Sequence, residues 1–86
     1  MGHNDGMGSD WPSIKARAML SLLQSQLGYR VVRQSGSHRR LVCDGRPPLT
    51  FAFHDGDTVS PRLVRVILVQ QVGLSMDEAR EVLRNA

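Results

Sequence analysis

Three consecutive residues, Gly36-Ser37-His38, bring together groups suited to act on a phosphodiester. A glycine in a tight turn lets the backbone approach an anion closely. Ser37 adds a hydroxyl and an amide donor, and an imidazole such as that of His38 can take up or release a proton near neutrality. Arg39 and Arg40 follow at once, and Arg33 lies across any hairpin closed at the glycine. A base beside cations that can bind developing negative charge is what phosphoryl chemistry requires. The plainer reading is a Ser-Gly-Ser turn that exposes a histidine.

Other residues offer less. His54, in Phe53-His54-Asp55-Gly56-Asp57, could serve as an auxiliary general acid for a leaving 5′ oxygen if the chain folds it toward His38. It could equally fix a turn. Two aspartates beside it invite a metal assignment, but their spacing matches no known ligand pattern, and no metal site is expected. Cys43 is the only cysteine, so an internal disulfide is excluded and packing is its expected role. Arg62 and Arg65 lie one turn apart, either as an RNA-contacting face or as a solvated edge. Asp77, Glu78 and Glu81 complement the dipole at the start of a helix.

The 86 residues suffice for one domain, and the net charge of +3 rests on ten arginines and the single Lys15. Arginine favours bidentate phosphate contacts. The mild excess permits a nucleic-acid partner without requiring one. No apolar run reaches the length of a membrane span and no signal pattern opens the chain, so the cytosol is the expected compartment.

These side chains need a scaffold. Residues 1–11 read as a flexible tail and 12–86 as one domain. Ser13 is placed to cap a helix with Ala16, Leu20, Leu23 and Leu27 at helical spacing, Met19 beside them, and Gly28 as the stop. Tyr29–Gln34, His38–Cys43 and Leu49–Phe53 read as three strands of an antiparallel meander. His54–Val59 reads as a polar loop. Ser60-Pro61 starts a second helix that Gly73 closes after Val72, although its valines also suit a strand. Ser75 and Glu78 form a capping box for a last helix with Met76, Ala79, Val82 and Leu83 inward. The order is α-β-β-β-α-α, an α+β domain with helices over one face of the sheet.

Strand parity assigns the faces. Leu49, Phe51 and Phe53 share the core side, as do Leu41 and Cys43. His38, Arg40 and His54 then project from the side the helices leave open. The first strand stays undecided, since Val31 and Val32 point opposite ways.

The stretch from Gly28 to His38, GYRVVRQSGSH, resembles the signature of HicA-type toxins, the mRNA interferases of bacterial toxin–antitoxin pairs. Phe53-His54, Leu63-Val64-Arg65 and Val72-Gly73-Leu74-Ser75 resemble its later blocks, so the likeness spans roughly Ile14 to Leu83. It implies a fold like that of double-stranded-RNA-binding domains (dsRBDs), here with an extra C-terminal helix. It also implies RNA cleavage with no cofactor or required metal, and a HicB-like antitoxin as partner. The catalytic histidine of the family pattern maps to His38, with mRNA held by Arg33, Gly36, Ser37, Arg39 and Arg40. His38 would deprotonate the ribose 2′-OH, which attacks the adjacent phosphate. Many members carry Lys where this chain has Ser35, and a second His or an aromatic where it has Arg39-Arg40. The alternative is a non-catalytic RNA-binding or antitoxin-binding module on the same fold.

Overall fold

Alternating apolar residues in three successive segments build the centre of the molecule. Strands β2 (Arg30–Ser35), β3 (His38–Cys43) and β4 (Arg46–Ala52) pair antiparallel in the order β2-β3-β4. One sheet face carries Leu41, Leu49 and Phe51, each exposed by 4% or less. Phe53 continues that face, its ring tilted against Phe51 with centroids 5.0 Å apart. β4 starts at Arg46, earlier than the expected Leu49, and so includes Pro47 and Pro48. Prolines cannot donate ladder bonds, but β4 is an edge strand, where they are tolerated. The register shifts between Leu41 and Cys43, so the two prolines stand opposite one residue of β3. The phenol of Tyr29, itself buried, donates to the Pro47 carbonyl at 2.8 Å.

The computed structural model describes residues 11–86. His3 and most of the expected tail lie outside the described residues. Trp11 does not behave as tail, because its indole is 4% exposed and belongs to the core. Packing therefore includes the residue before the expected domain start.

Helix α1 (Ala16–Ser25) buries Ala16, Met19, Leu22 and Leu23, with Leu20 only partly covered. Ser13 does not cap it. The N-cap is Lys15, with no side-chain cap bond. Ile14–Lys15 forms a short strand, β1, paired with β5 (Thr58–Val59), and the Ala16 amide donates to the Asp57 carbonyl at 2.8 Å. An orphan helix amide is thus met by a distant loop, and that loop ends in a strand that its polar composition hides. At the other end Gly28 has φ +81, and the Tyr29 amide donates back to Leu23 at 3.0 Å, closing the helix as expected.

The Ser60 hydroxyl accepts from the Leu63 amide and Pro61 opens α2 (Pro61–Arg65), so helix prevails over strand here. The chain then winds as a π-helical segment, Val66–Gln71. Val64, Val66, Ile67 and Val69 place β-branched side chains where an α-helical turn is crowded. Val64, Ile67 and Leu68 are buried. Helix α3 (Met76–Arg84) has the full reciprocal capping box of Ser75 and Glu78. Gln26 ties α3 to α1, its amide donating to the Val82 carbonyl at 3.0 Å. The helices and the three-stranded antiparallel sheet make an α+β domain of dsRBD-like architecture, and among the described residues the sheet face opposite the core is left bare.

Candidate active site on the open sheet face

Only Gly36 and Ser37 separate β2 from β3, with Ser35 and His38 as the closing pair. Gly36 has φ +59 at the first central position, the signature of a type II′ turn, whose twist matches that of the flanking strands. The turn sets His38 at the first position of β3, exposed, with Ala52 of β4 directly across. Directly opposed residues share a face, so Ser35, His38 and Ala52 form one row. Arg33, Arg40 and Thr50 form the next. Arg30, opposite Val42, continues the basic column.

The undecided parity of β2 has a specific cause. Arg30 and Val31 pair with Val42 and Leu41, whereas Arg33, Gln34 and Ser35 pair with Arg40, Arg39 and His38. One residue is extra, Val32, and the strand carries a β-bulge there. In an unbroken register Val32 would face Arg40 and Arg33 would point to the core side. The bulge turns Arg33 onto the open face instead and leaves Val32 as an exposed large apolar side chain, 55% accessible. Adjacent Val31 and Val32 were the sequence signal for it: both are strand formers, yet one face cannot take both.

Arg33, Ser35, His38, Arg39, Arg40 and Thr50 line an open concavity of about 580 Å³. Arg40 is steered from β4, its guanidinium donating to Thr50 Oγ1 at 3.3 Å. Thr50 is a site residue that sequence reading did not single out. Alternation with the core-facing strand residues could have found it.

Arg39 is placed differently from Arg33 and Arg40. It stands opposite Phe51, on the core side of the sheet, with its side chain 14% exposed. Its guanidinium donates to the Phe53 carbonyl and pairs with Asp55 Oδ1, both at 3.3 Å. It straps the β4–β5 loop to β3. Of the three arginines expected to meet RNA, all border the concavity; two share the face of His38, and the third also holds a loop.

That loop carries His54. Asp57 fixes the His54 backbone twice: its carboxylate accepts from the His54 amide, and its amide donates to the His54 carbonyl, each at 2.9 Å. The two aspartates therefore serve the loop itself. His54 follows Ala52, the residue opposite His38, by two residues, lies beyond the end of β4, and its side chain is exposed. It is not among the residues lining the concavity. Cys43 packs against the core, its thiol donating to the Leu27 carbonyl at 3.1 Å. Nearby, burial raises the Tyr29 phenol above its ordinary range.

Fold and site together define a small dsRBD-like α+β domain that presents a histidine and paired arginines on the uncovered face of its sheet. The family model described as HicA toxin of bacterial toxin–antitoxin matches residues 16–74, and the chain belongs to this family of toxin–antitoxin systems. The match runs from the first residue of α1 to the residue after Gly73, and α3 lies beyond it. No curated protein and no solved structure matches the chain.

Proposed function

We propose that this chain is the toxin of its pair and an endoribonuclease that cuts mRNA with His38 as general base. The observation that supports this best is the exposed His38, seated on the bare face one row from Arg33 and Arg40, in a chain of the HicA toxin family. His38 takes the proton from a ribose 2′-OH. The 2′ oxygen attacks the adjacent phosphorus, the bond from phosphorus to the 5′ oxygen breaks, and that oxygen leaves with a proton. The products carry a 2′,3′-cyclic phosphate and a 5′-hydroxyl. Gly36 and Ser37 shape the approach of the phosphate, and the guanidiniums of Arg33 and Arg40 bind the RNA backbone beside it. His54, two residues beyond the Ala52 that faces His38, is the candidate auxiliary acid to return the proton.

The same face suits the partner. A HicB-like antitoxin silences the enzyme by covering His38 and the arginines, and toxin and antitoxin meet in the cytosol with the mRNA. Among the described residues no helix is long and apolar enough to cross a membrane.

The test is chemical. Purified protein and an RNA oligonucleotide give fragments with cyclic-phosphate ends, and a strand lacking the 2′-OH at the cleaved position stays intact. Cleavage of both strands alike would contradict 2′-OH attack.

A further inference from the structure

The open face carries an arrangement that folding alone does not favour. Arg33 and Arg40 are direct cross-strand partners. Like charges in that position destabilise a sheet. Among the described residues no carboxylate pairs with either, whereas Arg39 pairs with Asp55 and Arg84 with Glu81. The one side-chain bond to the pair comes from neutral Thr50. The opposition exists only because of the bulge at Val32, which also leaves that valine in solvent. A bulge, two opposed cations and an exposed valine each weaken the free domain, and none is offset by packing. A bound anion between the guanidiniums would relieve the charge repulsion.

His38 and Arg40 are two residues apart on one strand and on the same face, a separation of about 7 Å along β3. That suits two successive phosphates of an extended strand, and one concavity contains both positions. We infer that the Arg33–Arg40 pair is a second phosphate subsite, binding the phosphodiester next to the one cleaved at His38. This rests on the ribonuclease reading for its place in catalysis, but the anion site itself does not. The substrate is then an extended single strand with at least two phosphates, and a dinucleotide with one phosphate fills only the His38 position.

The experiment has two arms, on wild type, Arg33→Gln, Arg40→Gln and the double variant. In the first, thermal unfolding is followed with millimolar inorganic phosphate against chloride at equal ionic strength. Phosphate stabilises wild type and not the double variant, and in chloride the double variant is at least as stable as wild type. Equal phosphate shifts in both proteins, or none in wild type, overturn the subsite. In the second arm, kcat/KM is compared for a dinucleoside monophosphate and for the same compound carrying an added 5′- or 3′-terminal phosphate. One added phosphate raises wild-type kcat/KM about tenfold, and the gain disappears in the double variant. A wild type indifferent to both added phosphates overturns the subsite. If nothing is cleaved, the ribonuclease reading fails, and the phosphate-dependent stabilisation alone decides the subsite.

Discussion

At the scale of single residues, two arginines adjacent in sequence have opposite duties. Arg40 faces the concavity with Arg33, while Arg39, which borders it as well, commits its guanidinium to the Phe53 carbonyl and Asp55 and straps the β4–β5 loop. Substitution should separate them. Arg33→Gln or Arg40→Gln lowers RNA affinity and reduces the slope of log K against log salt by about one. Arg39→Gln leaves the slope unchanged and instead raises hydrogen exchange at the His54 and Asp57 amides. Asp55 is half exposed, so Asp55→Asn costs no more than about 1 kcal/mol of stability while releasing the same loop. An Arg39 variant with a reduced salt slope would place its guanidinium on the RNA after all.

At the scale of elements, the short turn and the bulge do most to build the site. Gly36 has open space around its missing Cβ, so only its positive φ resists substitution. Gly36→Ala should cost about 1–2 kcal/mol in chemical denaturation, from the left-handed backbone alone. The capping box of α3 makes a pH prediction. Hydrogen bonds from Ser75, its amide first and its side chain second, hold the Glu78 carboxyl below the ordinary glutamate range. The folded state then binds fewer protons than the unfolded chain there. The resulting stability is present above that range and is lost as pH falls through the lowered value. Glu78→Gln should flatten this part of the acid limb. An unchanged limb would mean that the box does not titrate with unfolding.

Much of this level was legible before the structure. Leu49, Phe51 and Phe53 declared the core side of β4, and His38 followed onto the other side through Leu41. Ser60-Pro61 and Ser75–Glu78 marked helix starts through bonds that run between near neighbours in the chain. What stayed hidden depends on distant partners. Ser13 has the chemistry of a cap, but pairing of Ile14–Lys15 with Thr58–Val59 moves the helix start and gives its amide to Asp57. The bulge at Val32 is defined only against β3, and without it neither the face of Arg33 nor the strap at Arg39 could be read.

At the scale of the whole molecule, one side of the sheet carries stability and the other is reserved for charge. The core gathers α1, the π-helical segment and the inner face of β3 and β4, and it reaches back to Trp11. Trp11→Ala should cost about 3–5 kcal/mol by equilibrium unfolding, the range for truncating a buried aromatic. A value near zero would return residue 11 to the tail. Among the described residues nothing of comparable size covers the opposite face, where Ser35, His38, Arg33, Arg40 and Thr50 lie open. Such a division explains how a chain of 86 residues holds a rigid set of polar groups without burying any of them.

The central claim is that His38 is the base. It is tested most directly by the rate at which purified His38→Ala cleaves an RNA that wild type cuts, with binding of the same RNA measured alongside. Cleavage should fall at least about a hundredfold while affinity, carried by the arginines, stays within a fewfold of wild type. Equal cleavage by both proteins would contradict it.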